Sequence, residues 1–454
     1  MKLLKYKHSI FFLLSLIAFG SCNLNTSNTI NVSDDATITA FSINYNDSSE
    51  NASSAVFTIT NGYTVDTIRN LDSLPYNTRI DSLIPSITTS STSGFIVNDT
   101  LTYYLTVSKA INFTSKVKIT NVASDGETKK DYIIDVRVHK VDPYLYVWTK
   151  LSDKINASVY ENQKTLFFKG KFHFYTSSVA GNYAYSSSDA SAWSSETLTG
   201  LPLGVSFQNM DTLNSKIFLL SGNDIYTSLN GTDWALVTTD NKYTYKAMIC
   251  EYESKLYAIG QDKTTNAYRI INSADGSNWN EAASEFLNDF PVSGFASTSF
   301  QPKYGNKKII VVGGYNANGK KLNTRWTTED GVYWVNLQNP KSPFDAISNA
   351  ALTYYGSKLL LVGGTDISDE ENVVTGEMQV RNSLDEGLTW GIPDSTQNVL
   401  PENFKYRKNT SLVINPINHA LYIIGGADNL NPLSDVWKLQ VNYYKFDPSE
   451  WYKY

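Results

Sequence analysis

The chain has 454 residues, with 38 Lys and Arg against 44 Asp and Glu for a formal charge of −6, and it is rich in Tyr (30), Phe (20) and Trp (9). The length exceeds one ordinary domain, and the aromatic content favours strands, because such side chains pack well on a pleated surface. The acidic balance argues against nucleic acid as a partner, since that needs a basic face to neutralise phosphates, and two cysteines with four scattered histidines provide neither a disulfide framework nor a metal-ligand spacing.

Residues 1–21 read as a signal peptide. Lys2, Lys5 and Lys7 form a basic start, and Ile10 to Phe19 is an apolar run too short to span a bilayer. Phe19-Gly20-Ser21-Cys22 resembles the lipobox of bacterial lipoproteins. The resemblance implies cleavage before Cys22 and lipid attachment to it, hence a membrane partner through that anchor. Loss of the three leader lysines takes the charge to about −9. Residues 22–35, rich in Asn, Ser and Thr, read as a flexible tether.

Residues 36–142 alternate apolar and polar in short runs such as ITAFSI, AVFTIT, KVKITN and YIIDVRV, with turns at Asn61-Gly62 and Asp125-Gly126. This predicts a small Ig-like antiparallel β-sandwich. LPYNTRIDSLIPSITTS (Leu74 to Ser90) and NVASDGETKKDYIIDV (Asn121 to Val136) are similar to the sandwich modules near the amino end of many Bacteroidota surface lipoproteins. That likeness implies a spacer without catalytic residues.

From residue 143 onward the rhythm becomes a repeat. SKIFLLSG…TSLNGTDW, SKLYAIG…NSADGSNW, KKIIVVGG…TTEDGVYW and SKLLLVGG…NSLDEGLTW share an apolar strand, Gly, a variable loop, a second strand, a polar turn and Trp. A weaker copy ends at Trp193. The repeated tryptophans are Trp148, Trp193, Trp234, Trp279, Trp334, Trp390 and Trp451. A period of roughly 40–60 residues suits one four-stranded blade and predicts a β-propeller over 143–454. Six intervals imply six blades, with seven as the alternative. The strand around Trp148 either closes the ring or links to the sandwich. The apolar-run-then-Gly-Gly strand resembles kelch repeats, and the S/T-x-D/N-G-x-x-W ending resembles the Asp-box hairpins of sialidase-like propellers. As a whole the chain resembles an uncharacterised two-domain lipoprotein family of gut Bacteroidota, a likeness that implies fold and location but no activity.

The candidate chemistry is thin. Gly313-Gly314, Gly363-Gly364 and Gly425-Gly426 lead into polar loops and not into a helix, so they are strand elements and not a nucleotide fingerprint. Sialidases resemble one another in an Arg-Ile-Pro segment and an Arg triad. Arg-Ile-Pro is absent, and Arg269, Arg325, Arg381 and Arg407 stand outside that motif. Cys250, in the inner-strand run YKAMICEYE, reads as a small buried hydrophobe and not as part of a copper-oxidase site. Asp385 and Gly387 in NSLDEGLTW read as turn chemistry beside a buried Trp390, because the element recurs once per blade whereas a catalytic acid is needed once per site. No catalytic residue, metal or cofactor is assigned.

Loops after the Gly-Gly strands gather at one channel mouth in kelch-like blades. They make Asp262, Tyr315, Asn316, Asp366, Asp428 and Asn429 the candidate ligand-binding residues. The expected role is a binding protein of the cell envelope, an outer-membrane-anchored lipoprotein taking a glycan or another envelope protein. The alternative is a carbohydrate-active enzyme, a glycoside hydrolase or sialidase-like, with carboxylates converging at the channel.

Overall fold

A computed structural model describes residues 32–442, apart from 47–51, 141, 143–144, 157–158, 284–285, 287–288, 340–343, 366–371 and 394–397. Cys22, Asp366 and Trp451, with the signal peptide and most of the tether, lie outside the described residues. The chain divides into two compact units, Met1–Val138 and His139–Tyr454. Both are all-β, and a single 3-10 turn at Gly376–Gln379 is the only helical element among the described residues.

In the first unit alternation drives the fold. Strand Lys129–Asp135 buries Tyr132 and Ile134 and leaves their neighbours partly open, as a half-buried strand should. The eight strands form one continuous ladder with one parallel pair, Asp66–Asn70 beside Lys129–Asp135. Ion pairs flank that pair, Asp66 with Lys130 at 2.9 Å and Arg69 with Asp135 at 2.9 Å. The sheet folds over itself. Ile38, Phe41 and Ile43 near one end share a single core with Phe95, Val97 and Ile119 near the other.

The second unit is a ring of six sheets. Blade 1 runs from Asn162–Phe168 through Lys171–Ser178 and Gly181–Ser187 to Ser194–Glu196, every neighbour antiparallel. Blades 2, 3 and 4 repeat this meander over 210–236, 243–281 and 296–336. Blade 5 has three strands, and an isolated bridge between Asn382 and Gly391 stands where the fourth would be.

The second strand of each blade explains the apolar runs. In Lys216–Ser221, Ile217 and Leu219 face a core shared with blade 1, whereas Phe218 and Leu220 face a core shared with blade 3. Ile309 and Val311 likewise face blade 3, and Ile310 and Val312 face blade 5. A strand buried on both faces cannot alternate, so it reads as a continuous hydrophobic stretch.

Blade 6 contains Ser411–Asn415, Ala420–Ala427 and Pro432–Val441, and its outer strand is Tyr146–Ser152. The Trp148 strand is thus the closing strand and not a blade of its own, and the ring has six blades. Leu439 pairs with Trp148 and Val441 with Tyr146. Trp148 lies edge-on to Trp437 and Phe404. A chain starting at residue 139 is expected to be soluble and to melt cooperatively, whereas one starting at 153 should aggregate or lose its sharp transition. Calorimetry and size-exclusion chromatography compare the two, and equal melting would show that the seam pair is dispensable.

Candidate functional site

The first strand of every blade borders a central channel. One cavity of about 840 Å³ runs along these strands to their carboxyl ends, and one of about 320 Å³ occupies the mouth at their amino ends and shares Lys164, Gln208, Asn209 and Phe295 with it. The mouth is lined by Gln163, Lys164, Gln208, Asn209, Lys246, Phe295, Asn349 and Asn409, with small residues between them. No Asp or Glu is among its lining residues. The loops that carry these groups are tied in series. Asn349 donates its backbone N–H to Gly294 at 2.7 Å, and Asn409 donates to Asn349 at 2.8 Å. Asn349 and Asn409 both adopt positive φ (57° and 52°), which Asn tolerates better than most residues. The side-chain amides of Gln208, Asn349 and Asn409 form no hydrogen bond among the described residues, so they remain available to a ligand.

Deeper in the channel lie two carboxylates, Asp211 and Glu251. Asp211 accepts N–H bonds from Thr212 and Glu251, both at 2.7 Å, and Glu251 accepts from Ser254 at 2.8 Å. Burial pushes the Asp211 carboxyl up and the Lys164 amine down, and each partly offsets the other's shift by its charge. Cys250 sits on the same strand as Glu251, buried and free, and burial pushes its thiol well up. Among the described residues no cluster of three or more His, Cys, Asp or Glu could hold a metal ion.

The Gly-Gly pairs fasten one blade to the next. Gly314 donates to the Ile347 carbonyl at 2.8 Å, Gly364 to Arg407 at 3.0 Å, and Gly426 to the Gln163 side chain at 3.0 Å. A Cβ on Gly363 would lie 2.1 Å from the Arg407 oxygen, and φ there is 73°, so no other residue fits without displacing backbone.

The loops that follow hold the candidate ligand residues, and of the described ones Asp262, Tyr315, Asn316, Asp428 and Asn429 line neither cavity. Asp262 accepts from the Thr264 and Thr265 amides, Asn316 from those of Asn318 and Lys320, and Asp428 from those of Leu430 and Asn431. Asn429 accepts from Val373 at 2.7 Å. Each therefore shapes its own loop or the next one. Tyr315 stands behind the mouth and accepts from Ser348 at 2.9 Å, and its ring lies close to where a Cβ on Gly294 would sit. The arginines do not converge on the channel either. Arg325 and Arg381 lie over the Phe344 ring, Arg269 pairs with Glu281, and Arg407 grips Asp435 at 2.8 Å.

The turn-then-Trp hairpins share one geometry. In blade 3 the Asp275 Oδ1 accepts the Ser277 and Asn278 amides, Ser273 Oγ accepts the Gly276 amide, and Trp279 Nε1 donates to the Gly276 carbonyl at 2.9 Å. Blade 1 uses Asp189 and Ala190 with Trp193, blade 4 Asp330 and Gly331 beside Trp334, and blade 5 Asp385 and Gly387 with Trp390. Asn230 takes the same place in blade 2, ahead of Trp234. Trp279 is fully buried and Trp234 nearly so, but Trp193, Trp334 and Trp390 are only half-buried. The Asn278 amide first, then, against burial, Ser277, holds the Asp275 carboxyl well below its usual range.

Residues 142–449 match the DUF6242 beta propeller domain, and residues 23–136 match the DUF6242 N-terminal domain, a domain of unknown function. The chain belongs to the DUF6242 family. No curated protein matches it. Among solved structures, the one titled "Structure of YjhT" is similar at 12% identity and a TM-score of 0.43, over 62% of this chain and 95% of that one.

Sequence reasoning did not find the mouth residues of this DUF6242 protein. They lie on or just before inner strands of mixed polarity, and the repeat signal comes from the second strands. The hairpin acids are expected to act on stability. Asp275→Asn should cost little, as Asn230 shows, and Asp275→Ala about 1 kcal/mol for its lost turn bonds. Because the folded carboxyl is depressed from 3.8, its contribution is present above about pH 4 and lost as pH falls. Melting temperature should therefore fall less steeply on acidification in Asp275→Asn than in the natural protein, and parallel curves would contradict this.

Proposed function

We propose that this protein is a binding module of the cell envelope, lipid-anchored at Cys22, whose propeller takes a glycan at the amide-lined channel mouth. The observation that carries the reading is the lining itself. Free side-chain amides on blades 2, 5 and 6 can both donate to and accept from hydroxyls, Phe295 offers an apolar ring face, and no carboxylate lines the mouth itself. The kelch and Asp-box resemblances fit this role, since both describe blades that hold loops around a channel. A glycan array probed with the soluble chain from residue 32 should show binding. Gln208→Ala combined with Asn349→Gly, which keeps the positive φ accessible, should abolish that binding while the melting curve stays unchanged. An array without any signal would count against the reading.

Asp211 and Glu251, two carboxylates in one channel, favour a second reading as a glycoside hydrolase. Release of reducing ends from a bound glycan, lost in Asp211→Asn, would select it. The anchor is tested separately. Radiolabelled palmitate should be incorporated by the natural chain and not by Cys22→Ser, and label retained in the variant would remove Cys22 as the attachment site.

A further inference from the structure

We propose that the ligand of the channel mouth is an acidic saccharide, its carboxylate held between Lys164 and Lys246 and its hydroxyls by the surrounding amides. This rests on the glycan reading above and adds the charge of the ligand to it.

Lys164 lies on the first strand of blade 1. Lys246 lies on the first strand of blade 3 at the point where the register slips between Tyr245 and Ala247, a bulge of the kind that re-aims a side chain. Both line the mouth and both are half-buried. Neither forms a hydrogen bond or ion pair among the described residues. Some half-buried lysines of the propeller are paired, Lys150 with Asp153 at 2.6 Å and Lys308 with Glu329 at 2.9 Å and with Glu386, whereas Lys358, Lys408 and Lys438 form no ion pair among the described residues but line neither cavity. In a chain of net charge −6, two lysines without an ion pair at a mouth whose lining holds no carboxylate favour an anionic ligand.

Asp211 is the nearest charge to Lys164 by its effect, yet both of its oxygens accept backbone N–H groups. Burial depresses the Lys164 amine, and a bound carboxylate would favour the charged form again. The mouth has no arginine to fork onto an anion, so the two lysines would hold the acid as point charges. Amide groups that both donate and accept suit the hydroxyls flanking a sugar acid. The cavity of about 320 Å³ sits at the small end of ligand pockets, in keeping with one or two sugar units engaged.

The test is titration calorimetry of the soluble chain with short oligogalacturonates and oligoalginates, each against its methyl-esterified, uncharged form, at low and high salt. The acid forms should bind about ten-fold tighter than the esters at low salt, and the gap should shrink as salt screens the charge. Lys164→Gln and Lys246→Gln should each cut the acid-to-ester ratio several-fold, with melting curves confirming the fold. Equal binding of acid and ester, unchanged in both variants but weakened by Gln208→Ala, would overturn this inference and leave the glycan reading intact. Failure of every uronate to bind, while neutral glycans bind on the array, would overturn it as well. Failure of all saccharides would overturn both.

Discussion

A ring of sheets has a single seam, and here the seam is the ladder between Tyr146–Ser152 and Pro432–Val441. Every other blade is built from a contiguous stretch of chain and could be completed locally. Without the seam pair, the third strand of blade 6 would present an open edge carrying Trp437, Leu439 and Val441, all buried in the closed ring. An unpaired apolar edge of that kind invites association. The channel exists only because the ring is closed, so the geometry of the mouth depends on this one antiparallel pair.

Closure is reinforced between blades by contacts of two kinds. Apolar side chains from both faces of each second strand interlock with the neighbours on either side. At the mouth, backbone bonds from Gly314, Gly364 and Gly426 reach across to the next blade. The first kind is non-directional and sets the spacing, and the second is directional and fixes the rotation. Together they hold the loops that carry Asn349 and Asn409, so the mouth is supported by scaffold and the side chains of Gln208, Asn349 and Asn409 are left free.

The second strands were legible because burial on both faces removes alternation and leaves runs such as KIIVV and KLLLV. The hairpin turns were legible because their chemistry is local, a side-chain oxygen accepting amides two and three residues on. That same chemistry misleads in the loops after Gly-Gly. Asp262, Asn316 and Asp428 look like exposed polar groups free for a ligand, yet the Oδ1 of each accepts amides of its own turn. Lys164 and Lys246 gave no signal, because a lysine within an inner strand of mixed polarity reads as ordinary surface. Only the ring brings together blades 1 and 3, and with them two residues far apart in sequence.

The seam also has a consequence in time. Tyr146–Ser152 is synthesised early, directly after the first unit, but its partner Pro432–Val441 emerges only once five blades have been made. During that interval the strand has no edge to join. Long-range pairing of this kind pays its loop-closure entropy before any contact rewards it, and folds slowly for that reason. The blades can form in order as they appear, but the molecule becomes a ring in one final step. Any quality control acting on this chain would therefore meet an open crescent of complete blades that waits for its last strand.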